Sequence, residues 1–157
     1  GFENNKRHNH NGKDLNRAFW RNSREPEVRL LESELLAHAF NGIISLHTDD
    51  TSDGVYGYAH GAVLTRYLLE PALAAAGEFL PLNRNGVIDG FHARDGIIRD
   101  GPEGVLRVPP GVKPHPFEII LETPHHAPQF SQEAALVAAL RTILDEYRQF
   151  IAYAQNL

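Results

Sequence analysis

The sequence predicts an α/β domain, and three of its segments carry that prediction. Apolar residues Val28, Leu31, Leu35 and Ala39 recur at helical spacing and lead, through Asn41-Gly42, into the apolar run Ile43-Ile44-Ser45-Leu46. A helix followed within two residues by a buried strand is the connection of an α/β fold. Phe117 to Glu122 is a second apolar run of strand length, stopped by Pro124. From Ser131 onward Leu136, Leu140, Ile143, Tyr147, Ile151 and Ala154 trace one stripe of a long amphipathic helix.

Residues 1–22 are polar, with Asn4, Asn5, Asn9, Asn11 and Gly12, and read as a surface loop. The first helix spans Pro26 to Phe40, because proline suits a first turn and Asn41-Gly42 supplies a stop. The strand after it ends at His47. Residues 47–58, rich in Asp, Thr, Ser and Gly, read as a loop. A second helix is expected from Ala59 to Ala76, with Leu64, Leu68 and Ala72 on one face, Gly77 at its end and a kink at Pro71. Residues 79–112 are punctuated by glycine, with Val87-Ile88, Ile97-Ile98 and Val105 to Val108 as short extended pieces.

At 157 residues and 17.5 kDa the chain suits one domain, or the C-terminal part of one. Its 42% hydrophobic and 22% charged content is that of a globular protein and excludes a disordered one. No apolar run approaches the roughly 20 residues a membrane-spanning helix needs. The 15 basic residues are scattered and the net charge is −5, which argues against nucleic acid as a partner. With no cysteine there is no disulfide, thiolate metal site or cysteine nucleophile, and the compartment stays open. A chain that begins at Gly1 and holds no methionine reads as a processed or truncated segment of a longer one. Nine histidines are the one compositional excess, and histidine is the commonest metal ligand.

Three segments carry candidate chemistry: Arg7 with Gly12-Lys13-Asp14-Leu15-Asn16-Arg17-Ala18-Phe19, then Ser45-Leu46-His47-Thr48, then Ile120-Leu121-Glu122-Thr123-Pro124. Ligand sites in open α/β sheets lie beyond the carboxyl ends of strands, where His47 and Glu122 would converge. A histidine ligand and a carboxylate base beside asparagine and arginine donors suit metal-assisted hydrolysis. Singly, each is ordinary. An Asn-Arg pair is common in turns, a histidine after a strand is usually a hydrogen-bonded loop residue, and Glu118 and Glu122 on one face of an edge strand would simply be solvated. The combination and its order carry the signal.

That combination resembles the zinc carboxypeptidase superfamily, including its succinylglutamate desuccinylase and aspartoacylase branch. Arg7 stands nine residues before Asn16, as in many bacterial carboxypeptidases, and Gly1-Phe2 is similar to the end of the segment preceding that arginine. The resemblance implies a mixed, largely parallel central sheet flanked by helices, here lacking its N-terminal portion. It implies Zn2+ held by His47 as third ligand, with a bound water whose pKa falls to roughly 7. Glu122 is then the general base and acid, Arg7 the stabiliser of the oxyanion, and Asn16 and Arg17 the holders of a substrate carboxylate. Tyr56 or Tyr58 would contact the substrate. The substrate is a peptide, or alternatively an N-acyl amino acid, with a free carboxylate beside the cleaved amide. A non-catalytic carboxylate-binding domain of the same fold is the remaining alternative.

The sequence departs from the family pattern in informative places. No histidine here is followed three positions later by glutamate, so the family's H-x-x-E ligands are expected upstream of Gly1. Alone, the chain is then expected neither to hold zinc tightly nor to catalyse. The only tyrosines between His47 and Glu122 are Tyr56, Tyr58 and Tyr67, too near His47 to match the family's active-site tyrosine. The 30 residues from Arg17 to His47 resemble the compact deacylase branch. Asp49 to Gly54 mimics a calcium loop, but its twelfth position is His60, not glutamate. Arg94 and Arg99 could select an acidic substrate.

Overall fold

The computed structural model describes residues 6–99 and 108–154, and its chain separates into two compact units. One comprises Gly1–Ile43 and Glu103–Glu118, the other Ile44–Pro102 and Ile119–Leu157. The Gly1-Phe2 pair and residues 105–107 of the expected extended piece lie outside the described residues.

In the first unit a 3-10 turn, Leu15–Arg17, precedes helix α1, Pro26–Ala37. Pro26 opens α1 as expected, because the missing N–H would be unpaired there in any case. The helix ends three residues before Phe40. His38 turns extended, with φ −118° and ψ 138°, and its N–H closes on the Glu34 carbonyl at 3.1 Å. Of the predicted stripe only Val28 and Leu35 are buried; Leu31 is 39% exposed.

The second unit is built on a six-stranded sheet of order β1-β6-β2-β5-β4-β3. The strands are β1 (Gly42–Asp49), β2 (Tyr56–Ala59), β3 (Val87–Ile88), β4 (Phe91–Arg94), β5 (Ile97–Ile98) and β6 (Phe117–Pro124). Thr123 Oγ1 lies 3.4 Å from the His47 carbonyl and the His125 N–H donates to Asp49 at 2.8 Å. Both chains therefore advance together, and β1 and β6 are parallel. β2 is antiparallel to β6 and parallel to β5, and β3, β4 and β5 form an antiparallel meander. The result is the mixed α/β sheet that the sequence predicts. β6 is interior rather than an edge, and Glu118 is buried rather than solvated.

β2 replaces the second half of the expected loop at 47–58. Its central Gly57 sits where a Cβ would lie 2.5 Å from the Ile120 carbonyl oxygen, so the strand needs the residue that weakens its sequence signal. The next helix starts at Ala62, after Gly61 at φ 92°, and not at Ala59. Helix α2 (Ala62–Leu64) passes into a π-helical stretch, Thr65–Leu69, and then into helix α3, Glu70–Ala76. Pro71, in the first turn of α3, has no N–H to give the preceding turn, and the widened π stretch takes up that break.

Helix α4, Gln129–Ala154, packs against α3. Its buried residues are Ala135, Ala139 and Ile143, against Ala72, Leu73 and Ala76 of α3 among the buried core. Ile143 is buried as the predicted stripe requires, whereas in the preceding turns the contact runs on alanines one position before Leu136 and Leu140. Leu136 and Leu140 are only half-buried, because alanines let the two helix backbones approach. On the other sheet face Tyr56, Tyr58, Ile88, Ile98 and Ile120 form an apolar cluster. Each such side chain contributes about 1.5–3 kcal/mol when fully buried. Among the described residues no helix is long and apolar enough to cross a membrane.

Candidate functional site

In the first unit the predicted substrate-binding residues are organised by one carboxylate. Asp14 caps the 3-10 turn, its Oδ1 accepting the Asn16 N–H at 3.1 Å. Its Oδ2 accepts Nε and Nη2 of Arg7 at 3.1 and 3.0 Å. Asp14 therefore ties Arg7 to the turn that carries Asn16 and Arg17, so three residues that the sequence reading had singled out share one anchor. A second knot holds the preceding loop: Glu25 accepts hydrogen bonds from the side-chain amides of Asn9 and Asn11. Those two bonds, Asn11 first, hold the Glu25 carboxyl below its usual range.

In the second unit the sheet brings His47 and Glu122 together. The His125–Asp49 bond of a parallel ladder sets Glu122 beside His47, and side chains so paired point to the same face. Tyr56 is the antiparallel partner of Glu122, and Tyr58 that of Ile120, so both rings share that face. Each tyrosine is a buried strand residue, not a loop residue as expected. Glu122 and His47 are half-buried. Just past Glu122, Gln132 of α4 donates to the Ala127 and His125 carbonyls, and its Oε1 lies 3.1 Å from Thr123 Oγ1. The chain end of β6 is thereby pinned to α4.

Two aspartates complete this face. The Tyr56 hydroxyl lies 3.0 Å from Oδ2 of Asp49 and 3.0 Å from Oδ2 of Asp89. It has one hydrogen, so it donates to one carboxylate at a time. Burial, and then the negative fields of Glu122, Asp49 and Asp89, push the Tyr56 phenol far above its ordinary value, so it stays protonated. Asp89 reaches it from the turn joining β3 and β4, where Asp89 and Gly90 take φ 51° and 81°. Positive φ at both central residues is what a two-residue hairpin demands.

Asp49 is held below its ordinary 3.8. Burial pushes it up, but the Thr51 N–H at 2.7 Å, the Thr51 hydroxyl at 2.8 Å and Tyr56 outweigh that. A carboxyl with a lowered folded-state pKa stabilises the fold above its unfolded value, and that contribution fades as pH falls through the folded value. Asp49→Ala is therefore expected to cost about 0.5–1.5 kcal/mol at neutral pH, since the Thr51 donors are exposed and Tyr56 keeps Asp89 as a partner. Its thermal-melt deficit should shrink below about pH 4. An equal deficit at both pH values would mean that the charge of Asp49 does not matter.

Asp14, Asp49 and Asp89 are the residues that sequence reasoning left without a role. Asp14 is legible as a cap before Leu-Asn-Arg, and Asp89-Gly90 as a hairpin signal between Val87-Ile88 and Phe91. Their long-range partners are not legible. Among the described residues no group of three or more His, Asp or Glu side chains is placed to hold a metal ion. His47 offers one imidazole, and the described residues do not by themselves make a metal centre.

No protein-family model and no curated protein matches the chain. Solved structures do. One named "putative metallopeptidase" from Shewanella denitrificans OS217 aligns with a TM-score of 0.71 at 25% identity, over 92% of this chain and 56% of that one. Others so named, from Shewanella amazonensis SB2B and Shewanella baltica OS155, give TM-scores of 0.73 and 0.71 at 23% and 25% identity. Each alignment covers 92% of this chain and 59% of the neighbour's chain. The fold is metallopeptidase-like. The chain spans just under three fifths of the length of these structures.

Proposed function

We propose that this chain is the histidine- and glutamate-bearing part of a zinc-dependent hydrolase that cleaves an amide bond beside a free carboxylate. The observation that carries the reading is the pairing of His47 and Glu122 on adjacent parallel strands, on one face, beyond an apolar cluster. The metallopeptidase-like fold supports it. His47 would be one metal ligand, and the others would come from an H-x-x-E segment outside this sequence. When bound, the metal would supply Lewis acidity.

Glu122 takes a proton from the attacking water and returns it to the departing amine. Tyr56 and Tyr58 form the wall beside it, and Tyr56 stays protonated between its two aspartates. In the first unit Arg17 and Asn16 are the proposed partners of the substrate carboxylate, and Arg7 the proposed stabiliser of developing negative charge. A carboxypeptidase-like activity on peptides is favoured by the Asp14–Arg17 motif with Arg7. Hydrolysis of N-acyl amino acids is favoured by the short spacing from Arg17 to His47.

The test is elemental analysis of this chain joined to a preceding segment that carries the proposed H-x-x-E ligands. About one zinc per chain, at least tenfold depleted by His47→Ala, is expected from the loss of one of three ligands. Parallel assays on a peptide and on an N-acyl amino acid then decide between the two substrates. Absence of zinc after reconstitution would overturn the reading.

A further inference from the structure

A cavity of about 780 Å³ opens within the second unit, where β2, β4 and β5 meet the helical segment from α2 to α3. None of His47, Tyr56, Tyr58, Asp89 or Glu122 lines it. Leu73, Leu82 and Ile97 are among its apolar lining, and three arginines, Arg66, Arg94 and Arg99, also line it. Ile97 is the strand partner of Gly57, whose Cβ position faces Leu69 of the helical segment, so the cavity belongs to the helix-packed side of the sheet. The reacting pair lies with Tyr56 on the opposite side.

The charge of this wall is unusual for a protein of net charge −5. Of its two carboxylates, Asp95 is paired with Arg94 at 3.4 Å. Glu70 is the other, and no ion pair joins it to Arg66 or Arg99 among the described residues. Arg66 rests against the Tyr67 ring at 5.6 Å. Two guanidiniums thus line a partly apolar chamber large enough for a small organic molecule, with Glu70 the one carboxylate of the described lining besides the paired Asp95. Guanidinium forks match carboxylate and phosphate oxygens, and the chamber matches an aliphatic body.

We propose that this cavity binds an amphiphilic organic anion, its aliphatic part against Leu73, Leu82 and Ile97 and its carboxylate or phosphate on Arg66 and Arg99. This site stands whether or not the hydrolase reading holds, because it shares none of those residues.

The test is an amide-shift NMR titration of the isotope-labelled protein with hexanoate, hexyl phosphate and hexan-1-ol. Saturable shifts at Thr65, Arg66 and Ile97 are expected with at least one anion. Binding should weaken about tenfold in Arg66→Ala or Arg99→Ala, as loss of one charge-assisted contact implies. It should also weaken with added salt. Tighter binding of hexanoate assigns the site to carboxylates, and of hexyl phosphate to phosphate esters. Both side chains are exposed, so the variants keep their fold, which the amide spectrum itself verifies. Binding of hexan-1-ol as tight as the anions, unchanged affinity in both variants, or shifts elsewhere only would overturn the proposal.

Discussion

Glu122→Gln, in the protein carrying its full set of metal ligands, is expected to lower turnover about 10²–10⁴-fold, the usual worth of a positioned general base. Glutamine keeps the shape and half-buried position of the side chain on β6, so the sheet and the content of metal should not change. The loss should fall on kcat, because a proton-transfer group acts in the transition state and contributes little to ground-state binding. Measuring kcat, KM and bound zinc on one preparation separates the cases. Undiminished turnover removes Glu122 as the base, whereas a parallel loss of zinc makes it a structural residue instead.

Gly57→Ala is expected to destabilise the second unit strongly for a single added methyl. Its Cβ would stand 2.5 Å from the Ile120 carbonyl oxygen, and 3.0 and 3.2 Å from Leu69 and Leu121 side-chain carbons. The oxygen belongs to the interior strand β6 and cannot step aside without breaking the β2–β6 ladder. A loss of about 3 kcal/mol or more is expected, read as a lower urea midpoint at unchanged slope. Gly86→Ala is the control, because no atom lies within 4 Å of its Cβ position. It should change stability by no more than about 1 kcal/mol. Equal effects of the two would mean that the β2–β6 contact is not close.

The same glycine explains what the sequence conceals. β1, β6 and α4 are legible because long apolar periods mark them and Pro124 and Asn41-Gly42 bound them. β2 is not: four residues with a central glycine, next to a polar loop, read as more loop. β4 is hidden for a similar reason, since Phe91–Arg94 alternates half-buried and exposed residues over only four positions. The Asp89-Gly90 turn that introduces it is visible in hindsight from its dipeptide. Of the candidate site, His47 and Glu122 are readable as strand residues, although each strand runs two residues further than expected, to Asp49 and Pro124. The Asp49–Tyr56–Asp89 grouping is not, because Asp89 lies 33 residues beyond Tyr56 and no local pattern records that meeting.

The pairing of β1 with β6 joins Thr123 to His47 across 76 residues of chain. Closing so long a loop carries an entropic cost that grows only with the logarithm of its length, about 0.6 kcal/mol for each doubling. The exposed turns between the two strands are therefore nearly free to lengthen or shorten, while β2 to β5 stay in the sheet and the ladder keeps the spacing of His47 and Glu122 fixed. Relatives of this chain can differ in those turns, and in whatever they recognise, without re-engineering the two residues that they bracket.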